Sequence, residues 1–254
     1  MKITLFENEK HEIVKFYNYE DTDEVETNQF LIKNGDEGIL FDPGGTRINT
    51  FLFSEISTII PPQKIKYIVL SHQDPDVGAS LSFWLISLNS KIVTSTIWER
   101  FIPHFTTKGI SKERFVLVND YGGKLKLGDT EIILLPAHFL HSEGNFQIYD
   151  PTSKILLSGD MGASLGAPYE EVQDFENHKQ YIEGFHKRYL PSSYSIKEWV
   201  KLVRSLDVEQ IVPQHGARFP NKEIVNSFLN WSEQLKPTLE ENPDWYKVNN
   251  EFLD

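Results

Sequence analysis

The sequence has 254 residues, with 25 Lys and Arg against 37 Asp and Glu, a formal charge of −12. One α/β domain can fill that length, and a chain so long buries roughly 70–75% of its unfolded surface, so it needs neither disulfide nor metal merely to fold. The negative balance argues against a nucleic-acid or anionic-membrane partner, and the absence of cysteine excludes disulfides, iron–sulfur clusters, zinc–thiolate sites and cysteine nucleophiles.

The opening MKITLFENEKHE turns charged by Glu7 and has no signal-peptide apolar stretch. Apolar runs such as 83–86 and 132–135 are too short to cross a bilayer, so a soluble, cytoplasmic protein is expected. From there, short β-rich runs alternate with helical patterns. Strands are expected at 3–6, 13–17, 29–32 and 38–41, a helix at 49–57, a strand at 67–70, a helix at 79–87, a strand at 92–94 and a helix at 97–105. Strands follow at 115–118, 131–135, 146–149 and 155–158, then helices at 170–188 and 196–205, a strand at 210–212 and a helix at 222–234. Turn chemistry separates them at Asn34-Gly35-Asp36, Asp42-Pro43-Gly44-Gly45, Tyr121-Gly122-Gly123 and Asp150-Pro151. The segment from Pro237, with Trp245 and Phe252, is expected on the body of the protein or on a partner. No repeat or linker marks a boundary, so a single α/β domain over 1–254, with sheets covered by helices, is expected.

Candidate chemistry gathers in four stretches, each just after an expected strand. The first is Ser71-His72-Gln73-Asp74-Pro75-Asp76-Val77-Gly78. In an extended loop, alternate residues point to one side, so His72, Asp74 and Asp76 converge; Pro75 turns Asp74 away from helical angles. One imidazole and two carboxylates make a hard, oxygen-rich partial metal site. The same residues suit a turn followed by a helix N-cap, and alone the stretch leaves both readings open. The second is Pro136-Ala137-His138-Phe139-Leu140-His141-Ser142-Glu143-Gly144; histidine pairs at this spacing are more often surface or core residues than metal ligands. The third, Ser158-Gly159-Asp160-Met161-Gly162, ends an apolar strand in an aspartate between glycines, and a plain strand-to-loop turn would read the same. The fourth, Val212-Pro213-Gln214-His215-Gly216, again places a histidine after an apolar strand. Together they put every candidate ligand on one rim of a sheet, a coincidence that turn chemistry does not explain. His11, His104, His178 and His186 lack such settings and read as ordinary surface or core residues.

The order His-x-carboxylate-x-Asp, lone His, Ser-Gly-Asp, Gln-His-Gly resembles the metallo-β-lactamase superfamily over about residues 25 to 220. Asn28-Gln29-Phe30-Leu31-Ile32 and Leu40-Phe41-Asp42-Pro43-Gly44 are similar to its opening strands and aspartate turn. Within it, the first motif and the stretches 140–150 and 155–160 resemble the diiron branch, the flavodiiron proteins. The His-Gln-Asp-Pro-Asp wording looks most like the stand-alone oxygen-binding diiron relatives that lack a flavin domain. The resemblance implies an αββα sandwich of two mixed sheets covered by helices. Carried over by position, it implies that His72, Asp74 and His141 hold one iron, that Asp76 and His215 hold the other, and that Asp160 bridges them. Two departures stand out. Asp74 replaces the usual Glu, shortening that ligand by one C–C bond, about 1.5 Å. Val77 stands where the second iron commonly has, or neighbours, another histidine, which leaves room for an exogenous ligand; His138 is expected beside the centre in an orienting role. Two divalent ions against three aspartates leave one positive charge for a bridging hydroxide, and a carboxylate-rich set of this kind favours iron or manganese over zinc, although zinc also binds carboxylate and imidazole well.

The resemblance implies a non-haem diiron protein that binds dioxygen, as an oxygen or iron sensor or a slow oxygen reductase. The alternative is a metal-dependent hydrolase of the same superfamily, in which a metal-held hydroxide attacks an ester, thioester, lactam or phosphoester. A fused flavodoxin domain would need about 150 more residues, so no FMN domain is expected in this chain, and electrons would come from an external reductase. The expected partners are dioxygen, a second copy of the chain in a homodimer, and a signalling or electron-transfer protein.

Overall fold

The computed structural model of the chain describes residues 1–19 and 25–247. Seven strands form a first sheet in sequence order: β1 (Lys2–Glu7), β2 (His11–Phe16), β3 (Gln29–Asn34), β4 (Glu37–Phe41), β5 (Ile65–Val69), β6 (Lys91–Ser95) and β7 (Phe115–Val118). Its first three pairings are antiparallel and the rest parallel. Five strands form a second sheet, β8 (Gly123–Leu127), β9 (Thr130–Pro136), β10 (Phe146–Asp150), β11 (Ile155–Leu157) and β12 (Gln210–Val212), in the order β12-β11-β10-β9-β8. Only its β11–β12 pair is parallel. Helices α1 (Asn49–Ser57), α2 (Pro75–Gly78) and α3 (Leu81–Ser87) accompany the first sheet, and α4 (Phe175–Tyr189), α5 (Ser193–Arg204) and α6 (Lys222–Gln234) the second; α7 (Thr238–Glu241) follows.

The period of two along each strand assigns its side chains to layers. In β3, Phe30 and Ile32 enter the core between the sheets while Leu31 enters the core under α1 and α3. In β11, Ile155 and Leu157 face the inter-sheet core, and Leu156 faces the cluster with Ile182, Trp199 and Phe228 of α4, α5 and α6. Both faces are covered, which is why these strands read as continuous apolar runs. Each fully buried Leu, Ile or Phe stabilises by roughly 1.5–3 kcal/mol. The result is the expected helix–sheet–sheet–helix sandwich, with two mixed sheets.

Four elements differ from the sequence-based expectation. The stretch 72–78, expected as an extended loop, turns helical after Asp74: α2 starts at Pro75 with Asp74 at its N-cap, so Asp76 reaches the edge from a helical turn and not by strand-like alternation. The stretch read as a helix over 97–105 is a run of turns ending in a 3-10 helix, Ile102–Phe105. Its apolar spacing is helical, but Pro103 has no N–H to give to the preceding turn. Strand β8 was not expected: Lys124 and Lys126 point outward while Leu125 and Leu127 are buried, the alternation of a charged edge strand. Helix α4 begins at Phe175 rather than at 170, because the Asp174 side chain accepts the amides of Glu176 and Asn177 and fixes the start there. In the C-terminal segment, Trp245 stacks on the Arg188 guanidinium, 4.7 Å from ring centroid to charge, so this part packs on the body; Phe252 lies outside the described residues. No helix among the described residues is long and apolar enough to cross a membrane.

Candidate metal centre

The candidate residues meet at one edge of the sandwich, and both sheets supply them. His72, Asp74 and Asp76 follow β5 of the first sheet; His141, Asp160 and His215 follow β9, β11 and β12 of the second. The single sheet rim expected from sequence is therefore the shared rim of two sheets. Backbone bonds lock the two edges together: Phe146 N donates to Ser71 O at 3.2 Å and Asn28 N to Gln214 O, while Gln214 N donates to Gly159 O at 2.7 Å within the second sheet's edge. Asn28 Nδ2 also donates to Pro213 O and Gly216 O.

Asp160 lies at the centre. Its Oδ2 is 2.7 Å from His141 Nε2 and 3.6 Å from His72 Nε2, while its Oδ1 is 3.5 Å from His215 Nε2. Asp74 Oδ2 is 3.4 Å from His141 Nε2 and 3.7 Å from His72 Nε2; Asp76 Oδ2 is 3.5 Å from His215 Nε2. One carboxylate thus divides its two oxygens between a group of His72, Asp74 and His141 and a group of Asp76 and His215. Donor atoms of the first group all lie within 4.8 Å of one another. The floor is closed, with Asp160 only 3% exposed, whereas the side chains of Asp74 and Asp76 are 33% and 39% exposed. The open side of the cluster is that of Asp74 and Asp76, and a cavity of about 460 Å³ borders Asp76, Arg47, Thr27 and Thr46.

Supporting bonds aim the imidazoles. Asp42, at the end of β4, accepts Ser71 N and Ser71 Oγ, each at 2.8 Å. With its proton given to Asp42, Ser71 Oγ accepts from His72 Nδ1 at 2.8 Å, which leaves the Nε2 lone pair of His72 facing the cluster. His215 Nδ1 donates to Glu26 O at 2.8 Å with the same effect. The loop of His141 is tied to the first motif by Ser142 Oγ donating to Gln73 Oε1, and Asn145 Nδ2 bonds Leu140 O.

The donor set fits metal ions. Three carboxylates converge in a largely buried place, and Asp160 Oδ1 has no hydrogen-bond partner. Burial works against ionised Asp160, yet the neighbouring His72 and the hydrogen bond from His141 hold its carboxyl well below the usual range. Burial likewise opposes charge on the histidines, but Asp160 and Asp74 push His141 up to about 10, and Asp160 and Asp76 push His215 up to about 9. For Asp76, burial dominates and raises the carboxyl; for Asp74, burial is outweighed by the bond from His141 and the carboxyl is lowered. The cluster is a strong attractor of positive charge, and its oxygen- and imidazole-rich composition suits divalent iron or manganese.

Other residues singled out in the sequence lie around this set. Both ring nitrogens of His138 face backbone carbonyls, of Glu143 at 2.9 Å and Asp120 at 2.8 Å, so it fastens the His141 loop to the loop before β8. Val77 is buried among Leu70, Leu81 and Trp84. The aromatic rings beside His141 are Phe185 and Tyr189 of α4, 6.3 and 5.8 Å away and stacked on each other at 4.7 Å. Nothing in the local sequence links them to His141; only the packing of α4 on the second sheet does. His11 pairs with Asp150 between the sheets at 3.0 Å, and His178 and His186 are buried on α4.

Two mixed sheets under helices, with histidine- and aspartate-bearing loops at their shared edge, define a metallo-β-lactamase-like αββα protein. Residues 25–216 match the family described as ODP family beta lactamase, and the chain belongs to that family. A solved structure of a peroxy diiron species of the chemotaxis sensor ODP is 37% identical, with a TM-score of 0.87 over 96% of this chain and 99% of that one. The apo state of the chemotaxis sensor ODP from T. denticola is 36% identical, with the same TM-score, covering 97% and 99%. Among curated proteins, the flavo-diiron protein FprA2 of Clostridium acetobutylicum is 22% identical over 86% of this chain and 56% of its own length. The chain spans about half the length of the first curated relatives it matches.

Proposed function

We propose that this chain is a non-haem diiron protein that binds dioxygen and acts as an oxygen or iron sensor, or as a slow oxygen reductase. The observation that carries the reading is the division of Asp160, with Oδ2 toward His141 and His72 and Oδ1 toward His215. In this reading His72, Asp74 and His141 hold one iron, Asp76 and His215 the other, and Asp160 spans the two. Similarity to a chemotaxis sensor over nearly the whole of both chains supports a sensing role.

Two ferrous ions would supply the electrons and open coordination positions that dioxygen binding requires. The chain's own residues do the rest. The Asp42–Ser71–His72 relay and the Glu26 carbonyl at His215 keep both Nε2 lone pairs directed inward. Phe185 and Tyr189 wall one side of His141. Asp74 and Asp76 form the accessible side, and Val77, behind them, contributes no donor. We further propose a single domain over 1–254, a homodimer, a signalling or electron-transfer protein as partner, and a cytoplasmic setting, which a chain without cysteine tolerates.

The test is anaerobic loading with ferrous iron, metal analysis, and the visible spectrum before and after oxygen. The reading expects close to two irons per chain and a new absorption band that depends on oxygen. One zinc that iron cannot displace, together with lactam or thioester hydrolysis lost in His72→Ala, would replace it with the hydrolase.

A further inference from the structure

We infer that His186, a buried histidine on α4, is a positioning residue for Asp160 and so for both metal positions. The inference rests on the metal-centre reading above and adds a residue to it from outside the ligand loops.

His186 is fully buried. Its Nδ1 donates to Ile182 O, one helical turn back, at 2.7 Å, and its Nε2 accepts the Gly162 amide at 2.9 Å. A ring that donates at one nitrogen to a carbonyl and accepts at the other from an amide has a single tautomer and no net charge. Burial acts in the same direction, holding the ring at about 4.

Gly162 stands two residues after Asp160, in a tight loop whose nearest other bonds are local or run to the His215 loop. Met161 N donates to Ser158 O at 3.2 Å, Ala163 N to Asp160 O at 3.0 Å and Ser164 N to His215 O at 3.1 Å; Ser158 Oγ bonds Met161 O. Two bonds fix the loop against the helical layer: Leu165 N donates to Tyr181 O of α4 at 3.1 Å at the far end of the loop, and the bond to His186 is the one nearest Asp160. Gly162 sits at φ +96°, and a Cβ there would meet Phe219 at 2.6 Å, so the backbone is pressed against the core where His186 receives it. The adjoining residues of the same helix end, Phe185 and Tyr189, pack beside His141. The last turn of α4 thus holds the Asp160 loop through a hydrogen bond and touches His141 through two rings. Groups bonded directly to a ligand commonly cost 10–100-fold in metal affinity when replaced, and a residue that holds the ligand's loop is expected at the lower end of that range.

The test compares His186→Leu, which fills the space without an acceptor, with His186→Gln, whose amide oxygen reaches about where Nε2 sits. Anaerobic calorimetry with ferrous iron should show binding to His186→Leu weakened by about 10-fold or more. His186→Gln should recover most of the loss, although both metal-free variants melt at similar temperatures. Equal binding by wild type and His186→Leu would overturn the inference, as would equal losses in both variants, which would mark a packing role alone. A wild type that loads two ions alongside an unimpaired His186→Leu would overturn this inference only. A wild type that takes up no metal would overturn the metal-centre reading and this inference with it. Should His186→Leu fail to fold, ¹⁵N-histidine spectra of the wild type decide: stoichiometric zinc should shift the His186 Nε2 signal, and an unchanged signal contradicts the coupling.

Discussion

Asp160 faces both halves of the candidate centre. Because its two oxygens face different histidines, Asp160→Asn should deplete both metal positions, while His215→Ala should leave about one ion per chain. Metal titration of the two variants checks this, and full retention in both would refute the ligand assignment. Ser71 acts at one remove. Ser71→Ala removes the acceptor of His72 Nδ1 and one bond to Asp42, so ferrous-iron affinity should fall by about 10-fold while the metal-free fold persists. At this scale much was legible in the sequence: His72, Asp74, Asp76, His141, Asp160 and His215 do converge. Their order and their places after strands were enough, since a strand end is fixed by the sheet and its loop has nowhere else to go. What supports them was not legible. Phe185, Tyr189 and His186 sit in an amphipathic helix far along the chain, where an exposed tyrosine reads as surface and an inward phenylalanine or histidine as core.

Among the elements, α4 couples stability to pH. His178 and His186 are held at about 4 by burial, below the ordinary histidine value of 6.5. A histidine lowered on folding stays neutral in the native state while the unfolded chain takes up its proton, so stability is full above pH 6.5 and is lost between about 6.5 and 4. For fully buried His186 the slope reaches up to about 1.4 kcal/mol per pH unit in that window. His141 and His215, raised to about 10 and 9, act in the opposite sense and are common to wild type and variant, so the test is the difference: between pH 7 and pH 5 the melting point of metal-free wild type should fall relative to that of His186→Leu, and a constant difference over that range would contradict the burial argument. The strands and helices themselves were largely readable, because both faces of β3, β4, β10 and β11 are covered and their apolar runs stand out. β8 escaped because Gly122 and Gly123 signal a turn and the Lys-Leu alternation after them is short. The 97–105 stretch misled because its apolar spacing is helical while Pro103 denies it the donor.

For the whole molecule, the candidate centre sits at one edge of the sandwich, and the net charge of −12 leaves the average surface unsuited to polyanions. Assembly follows the general preference of homo-oligomers for two-fold pairs; light scattering at micromolar concentration should give twice the chain mass, and a monomer would count against the proposed dimer. The central claim is that this edge holds two irons that respond to oxygen. The most direct measurement is the visible spectrum of the anaerobically iron-loaded protein on exposure to oxygen, with iron counted in the same sample. The account predicts close to two irons per chain and a long-lived oxygen-dependent band absent from Asp160→Asn; an unchanged spectrum in a sample that carries two irons would contradict it.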